Sequence, residues 1–192
     1  ALLAWWVPSR GQLCLDVMHG VRDAVPIAVG PCGGQSESGV NDVAAVVSND
    51  LRMSGRFAPL ERRDMVTRPT SGSEIRFDDW RLLKSDFIVV GRVEPDGAGL
   101  AVSFELHNVR TGASLLAQRL PSTEKGLRAT AHRIADLVFE RLTGIPGAFS
   151  TRIAYVTVNG RPPSQRFRLV VADADGFNPR TVMESTEPIM SP

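Results

Sequence analysis

Two stretches of the chain repeat apolar residues every three or four positions, which is the pattern of an amphipathic helix. The first covers residues 40–54 and is followed by Gly55; the second covers residues 123–143 and is followed by Gly144 and Pro146. Glycine is favoured directly after a helix because it adopts left-handed backbone at little cost, and proline prevents the helix from continuing. We therefore predict amphipathic helices over these two ranges.

Alternating or continuous apolar runs predict strands along much of the remaining chain. Residues 87–93 are apolar almost without a break, which is typical of a central strand covered on both faces. The strands predicted before residue 121 are 12–21, 25–29, 57–60, 87–93, 100–109 and 114–120. Together with the two helices they predict an α+β fold, with a mixed sheet and the two amphipathic helices on one face.

Polar and turn-forming segments connect these elements. Residues 30–39 are rich in glycine and serine and predict an exposed loop, and residues 61–74 predict a long polar loop. Asp78 is expected to cap a short helix. That helix contains Trp80, which we expect to lie in the core rather than to bind a ligand.

The C-terminal part of the chain has the pattern of a β-propeller blade. Residues 152–158, 167–172 and 181–183 predict three strands of a four-stranded blade. A single blade buries its faces only against neighbouring blades. We therefore interpret residues 150–192 as a linker and the first strands of a truncated, incomplete blade, and the whole chain as the front part of a longer protein.

The turn after the second blade strand, Asp173-Ala-Asp-Gly176, has some likeness to a calcium-binding loop. Calcium loops need oxygen ligands at fixed positions, and Phe177 occupies one of them. A tight turn explains the residues better, with Gly176 at positive φ.

Charge and cysteine content exclude several functional classes. Lys and Arg total 22 against 21 for Asp and Glu, so the net charge is +1 and there is no electrostatic case for nucleic-acid binding. Cys14 and Cys32 are too few for a disulfide scaffold or a zinc site. The sequence leaves open whether these two cysteines pair with each other.

The first residues have the character of a secretion signal. An apolar run at 2–7 is much too short to span a membrane, and Ser9 and Gly11 form a small-x-small pair of the kind that signal peptidase recognises. We interpret residues 1–11 as a signal-peptide remnant, with a frayed terminus or an expression artefact as the alternative. The mature chain would then begin near Gln12, and we predict no integral membrane span.

The histidines do not indicate catalysis or metal binding. The sequence contains His19, His107 and His132, and none has a second histidine or a cysteine at metal-ligand spacing. His132 is expected on the solvated face of its helix, paired with Asp136 one turn further on, and His107 is expected to be exposed on a hairpin. Nucleophile-elbow, P-loop and dinucleotide motifs are absent from the 192 residues. We therefore predict a non-enzymatic protein with no catalytic site, cofactor or metal.

Seven separated stretches carry a family resemblance. They are 26–29 (PIAV), 51–57 (LRMSGRF), 87–93 (FIVVGRV), 131–136 (AHRIAD), 142–156 (LTGIPGAFSTRIAYV), 172–179 (ADADGFNP) and 185–192 (STEPIMSP). In this order they resemble the TolB family, the periplasmic components of the Tol–Pal cell-envelope system of Gram-negative bacteria. The likeness extends over residues 13–192. It departs from the family pattern at 30–34, which leaves open how the strand before it leaves the sheet.

The resemblance implies a periplasmic adaptor rather than an enzyme. It implies an N-terminal α+β domain over 12–149 and a propeller beginning within 150–192. The family links TolA to Pal, maintains outer-membrane integrity and supports constriction in cell division; the propeller binds Pal, and some bacteriocins compete for that surface. By resemblance, the segment that binds the C-terminal domain of TolA is 12–21. Its residues are Gln12, Leu13, Cys14, Leu15, Asp16, Val17, Met18, His19, Gly20 and Val21.

Alternative interpretations remain at this stage. From the residues alone, 12–21 reads as the first strand of the domain's own sheet, although an extended segment can equally add to the sheet edge of a partner. The α+β domain could itself bind peptidoglycan or a lipoprotein. The chain could also be the front end of a propeller-containing serine peptidase, although no nucleophile elbow is present.

Overall fold

The computed structural model describes residues 24–35 and 41–189. Residues 1–11 and the predicted TolA-binding segment 12–21, with Cys14 and His19, lie outside the described residues. The predictions made for them are therefore not tested by the structure.

A five-stranded mixed sheet forms the centre of the N-terminal part. Its strands are β1 (Val25–Gly33), β2 (Phe57–Pro59), β3 (Phe87–Asp96), β4 (Gly99–Asn108) and β5 (Ser114–Ser122). Their spatial order is β2-β1-β3-β4-β5. Strand β1 runs parallel to both β2 and β3, and β3, β4 and β5 form an antiparallel meander. The predicted α+β class is confirmed. We call this part, with its helices, the α+β unit.

In the described part of the chain, three α-helices pack against the sheet: α1 (Val43–Met53), α2 (Phe77–Leu82) and α3 (Leu127–Thr143). Gly55 and Gly144, which follow α1 and α3, have φ of 67° and 73°, so both predicted helix ends are confirmed. Helix α3 begins later than predicted because residues Glu124–Gly126 form a 3-10 turn that the Thr123 hydroxyl caps. Asp78 lies inside the first turn of α2, where Arg76 is the N-cap residue, so the predicted capping role of Asp78 is wrong.

Both faces of the sheet are covered. Helices α1 and α3 bury the larger core on one face, which confirms the predicted placement of the two long helices. That core contains Ile27, Val29, Val47, Leu51, Val89, Val102, Phe104, Leu106, Ala131, Ile134 and Val138. On the other face, Ile88 and Val90 pack with Trp80 under α2 and the preceding loop. Strand β3 is therefore a central strand buried on both sides, as predicted.

Strand β1 is longer than its sequence indicates. The predicted loop 30–39 is wrong for residues 30–33, which continue the strand through an irregularity in its pairing with β3 between Val29 and Cys32. A Cβ on Gly30 would lie 2.9 Å from the Pro69 carbonyl oxygen, and one on Gly33 would lie 3.0 Å from the Thr70 Cβ. The glycines thus mark a place where another segment crosses close to the strand.

The C-terminal part is a three-stranded antiparallel sheet, which we call the blade. Its strands are β6 (Arg152–Asn159), β7 (Arg166–Asp173) and β8 (Arg180–Ser185), in the order β6-β7-β8. Gly176 has φ of 81° and donates its N–H to the Asp173 carbonyl oxygen at 2.8 Å, which confirms the predicted tight turn. None of the helices in the described ranges is both long and apolar enough to cross a bilayer.

Candidate functional site

The first turns of α3 meet the blade through polar side chains. We call residues 145–151, between α3 and β6, the connector, and residues 174–179, between β7 and β8, the blade turn. The connector and the blade turn both lie against the α3 face that carries Arg128, His132 and Asp136. This junction is the candidate functional site, because it determines how the blade is attached to the α+β unit.

Asp136 holds the connector. Its side chain is buried, with the residue only 2% exposed. Its carboxylate accepts the Phe149 N–H at 2.7 Å and the Ser150 N–H at 3.2 Å, and also the Ser150 hydroxyl. The Phe149 ring stacks edge-on against Phe139 of α3, with ring centroids 5.6 Å apart. The chain therefore enters β6 from a fixed position on α3.

Gly147 lets the connector approach α3 this closely. A Cβ at this position would lie 2.5 Å from the Asp136 Cα, well inside van der Waals contact. Only glycine permits the backbone to pass there without displacement.

Arg128 contacts the blade turn in two ways. Its guanidinium forms a salt bridge with the Asp175 carboxylate, whose side chain is 6% exposed. The guanidinium carbon also lies 4.0 Å from the centroid of the Phe177 ring. Arginine suits this position because its planar guanidinium can pair with a carboxylate and stack on an aromatic ring.

His132 joins α3 to α1 and faces the same blade residue. Its Nδ1 lies 2.7 Å from Asp50 Oδ2, and its Nε2 lies 3.9 Å from Asp175 Oδ2. His132 and Asp50 are both 3% exposed. We call Asp50, Arg128, His132 and Asp175 the junction cluster; it brings together α1, α3 and the blade turn.

Burial and hydrogen bonding shift the proton equilibria of this cluster. Burial raises the pKa of Asp50, and the hydrogen bond from His132 only partly offsets that effect. The hydrogen bond to Asp50 raises the pKa of His132 above its ordinary value, against the lowering effect of burial. The Asp50–His132 pair therefore retains a proton to higher pH than a solvated histidine does.

The cluster also contains ligand types that bind metal ions. Within the described ranges, Asp50, His132 and Asp175 form a group whose candidate ligand atoms all lie within 4.8 Å of one another. However, the Arg128 guanidinium forms a salt bridge with Asp175, and Asp50 pairs with His132 Nδ1. Because protein cations already balance the two carboxylates, the arrangement is that of a buried salt-bridge network.

A small cavity adjoins the imidazole. Its volume is about 110 Å³, and it lies between α3, the connector and the blade. Its lining is formed by Ala129, His132, Phe149, Ser150, Thr151, Arg152 and Asp173. Because about 10–15 Å³ of such space is enough for one water molecule, the cavity has room for water beside His132.

Two predictions about histidines are wrong. His132 is buried rather than solvated and pairs with Asp50 instead of Asp136, because the blade covers the polar face of α3. His107 is buried, with only 7% of its surface exposed, and its Nε2 lies 3.0 Å from Glu105 Oε2. The loop before α2 folds over this pair, and Gly72 donates its N–H to Glu105 Oε1 at 3.0 Å.

The sequence did contain a signal for the junction. Arg128, His132 and Asp136 recur at four-residue spacing, so they form a charged stripe along one face of α3. Such a stripe is usually solvated, and nothing local distinguishes it from one that binds a neighbouring unit. Asp50 was missed because it sits beside the apolar face of α1.

The remaining predicted site residues are not tested. Segment 12–21 precedes the described chain, which enters the sheet at Val25. Within the described residues Cys32 has no disulfide partner, and burial raises the pKa of its thiol to about 12. Cys14, its possible partner, lies outside the described residues.

Comparison with known proteins assigns the family. The profile of the TolB amino-terminal domain matches residues 13–115, and that of the TolB beta propeller domain matches residues 139–192. The chain belongs to the TolB family. The junction cluster takes Asp50 from the first matched part, Asp175 from the second, and Arg128 and His132 from the interval between them.

Curated relatives and a solved structure agree with this assignment. The Tol-Pal system protein TolB of Xanthomonas campestris pv. campestris (strain B100) is 44% identical over 183 residues, covering 94% of this chain and 42% of the relative. That of Methylococcus capsulatus (strain ATCC 33009 / NCIMB 11132 / Bath) is 41% identical over 188 residues, covering 96% and 44%. The crystal structure of TolB from Acinetobacter baumannii superposes with a TM-score of 0.77 at 33% identity, covering 88% of this chain and 41% of that one. This TolB-family chain thus spans less than half the length of these relatives.

Proposed function

We propose that this chain is part of a non-enzymatic periplasmic adaptor of the Tol–Pal system. In this role it links the C-terminal domain of TolA to Pal, which maintains outer-membrane integrity and supports envelope constriction during cell division. The match to both TolB profiles, over 13–115 and 139–192, is the observation that carries the proposal. We assign 12–149 to the N-terminal domain and 150–192 to the linker and first propeller strands.

The geometry of the junction supports an adaptor. An adaptor must hold one binding surface in a defined position relative to another. Asp136 fixes the connector, and Arg128 and Asp175 fix the blade turn. The buried charged groups of this region therefore contact one another and the backbone, and in doing so join the two parts of the chain.

We assign TolA binding to segment 12–21. The described chain is anchored directly after it, since the Val25 N–H donates to the Arg56 carbonyl oxygen at 2.9 Å. In the segment Leu13, Leu15 and Val17 alternate with Cys14, Asp16 and Met18, so both sides are partly apolar. An extended segment of this kind can add to a partner's sheet edge, where backbone hydrogen bonds supply affinity and the apolar side chains select the register.

Calorimetric titration with the C-terminal domain of TolA tests the proposal. The full chain is expected to bind, and deletion of 12–21 is expected to abolish binding. A triple variant, Leu13→Ser, Leu15→Ser and Val17→Ser, should weaken binding at least about tenfold, since each buried apolar side chain contributes about 1.5–3 kcal/mol. The matched control changes Cys14, Asp16 and Met18 to serine on the opposite side of the segment and should weaken binding less.

The outcomes separate the competing functions. Unchanged binding after deletion of 12–21 would place the site on the α+β unit and contradict the assignment of the segment. If the full chain does not bind TolA, titration with peptidoglycan fragments and with Pal would test direct envelope binding by this unit.

A further inference from the structure

The junction cluster has a charge balance that depends on one proton. With His132 protonated, the Asp50 and Asp175 carboxylates face two cations, Arg128 and His132. Loss of that proton leaves one cation against two carboxylates in a buried site. An uncompensated buried charge is costly, because the interior cannot solvate it as water does.

Among the described residues, the charges around His132 do not replace the missing proton. Helix α1 presents Asp50; α3 presents Arg128 and Asp136, and the Asp136 carboxylate is already engaged by the connector. The blade presents Asp175, and Asp173 and Arg152 line the cavity next to the imidazole. Arg152 is exposed, so water screens its charge. Arg128, the nearest buried cation within 24–35 and 41–189, is already counted in the balance.

We propose that protonation of the Asp50–His132 pair is a latch that holds the blade against the α+β unit. In the protonated state His132 is attracted to Asp175, and the blade turn stays docked on α1 and α3. When the proton leaves, Arg128 alone faces the Asp50 and Asp175 carboxylates, so one buried negative charge is left uncompensated and the blade turn loosens. This inference goes beyond the proposed adaptor role and does not depend on it.

The direction of the pH effect follows from linkage. Burial raises the pKa of Asp50 and the hydrogen bond to Asp50 raises that of His132, and the Asp175 carboxylate of the blade turn adds to both increases. Because docking brings Asp175 to the pair, the docked state holds the proton more tightly than the undocked one. The stabilisation is therefore fully present below the ordinary pKa of histidine and is lost as pH rises through the raised folded pKa. His132 also lines the cavity between α3, the connector and the blade.

Hydrogen–deuterium exchange on the full chain, from about pH 5 to about pH 9, tests the latch across the range in which histidines titrate. Rates are first corrected for the pH dependence of intrinsic exchange. Peptides that cover the blade turn 174–179 should lose protection several-fold as pH rises. Peptides from β3, Phe87–Asp96, should keep theirs, because this strand lies in the core of the α+β unit.

Matched histidine variants assign the effect to the junction. His132→Gln is expected to remove the pH dependence of blade-turn protection. His107→Gln removes a second buried histidine of the described chain, which pairs with Glu105 away from the blade, and should leave the dependence intact. If His132→Gln retains the wild-type dependence, the proposal is overturned.

The wild-type chain supplies an independent test in case His132→Gln does not fold. Nuclear magnetic resonance titration of the His132 imidazole should show a pKa above the ordinary histidine value, and Asp175→Asn should lower it. Blade-turn protection that stays constant across the titration of His132 would overturn the latch, as would an imidazole that titrates below its ordinary range.

Discussion

Asp136 shows how one buried carboxylate can determine the path of the chain between two structural parts. It accepts two connector N–H groups and the Ser150 hydroxyl, so one side chain satisfies three donors at the point where the chain leaves α3. Buried donors of this kind are costly to leave without acceptors. Position 136 therefore requires a side chain in which two oxygen atoms can accept hydrogen bonds.

Asp136→Asn tests this role. The amide keeps the size of the side chain but turns one acceptor oxygen into a donor that faces the connector N–H groups. We expect the free energy of unfolding to fall by about 1–3 kcal/mol, measured by urea denaturation. Asp78→Asn, at a carboxylate that is almost fully exposed, is the control and should have no measurable effect. Equal effects of the two variants would show that the connector contacts do not stabilise the fold.

The residues of α3 also show that burial of a polar helix face cannot be predicted from the local sequence. Periodicity correctly separated the apolar face of the helix from the face with Arg128, His132 and Asp136. The periodicity did not reveal that the second face is covered. The groups that cover it, Asp175 and the connector, lie outside the helix, and a helical repeat contains no information about them. A polar face that binds a neighbour and one that faces water have the same local pattern.

At the scale of the element, the start of α1 depends on a residue with two functions. Asp42 caps the helix, since its Oδ1 accepts the Ala45 N–H at 3.1 Å. The same carboxylate pairs with Arg62, with a distance of 2.8 Å between Asp42 Oδ2 and the guanidinium. The cap therefore also ties α1 to the loop after β2.

Substitutions at Asp42 separate these two functions. Asp42→Ala removes both and should lower the free energy of unfolding by more than the roughly 1 kcal/mol that a cap alone contributes. Asp42→Asn keeps a capping oxygen and loses the charge, so it should cost less than alanine and about as much as Arg62→Gln. Urea denaturation of the three variants measures this order. If asparagine costs as much as alanine, the cap contributes nothing and the ion pair accounts for the whole effect.

Strand β1 illustrates the limit for elements. The glycine-rich residues after Val29 have the composition of a loop, yet residues 30–33 extend the strand. Local propensity favours an irregular conformation there, and tertiary context overrides it. Pairing with β3 and the close passage of Pro69 and Thr70 decide the conformation, and the sequence of β1 alone contains neither.

At the scale of the whole molecule, Arg128 links α3 to the blade through both Asp175 and Phe177. The two contacts differ in kind. The carboxylate requires a positive charge, whereas the ring contact depends on the flat guanidinium.

A double-mutant cycle measures the ring contact. Arg128→Lys keeps the charge toward Asp175, and Phe177→Leu keeps an apolar side chain in the blade turn. We expect a coupling free energy of about 0.5–2 kcal/mol between the two positions, from urea denaturation of the single and double variants. Arg52→Lys is the matched control on α1, where the arginine pairs with Glu61, and its effect should add to that of Phe177→Leu within about 0.5 kcal/mol. A coupling no larger than in the control would show that the ring contact does not hold the blade.

The sequence by itself determined the periodic elements and the family. Apolar spacing predicted the two long helices, the central strand and the blade strands, because these patterns depend on neighbours a few residues apart. Seven stretches in register predicted the family, which the profiles confirmed. Only the tertiary structure decided which polar residues are buried and with whom they pair. Asp50, His132 and Asp175 come from distant parts of the chain. Folding brings them together and removes the water between them, so the protonation of one then depends on the charges of the others.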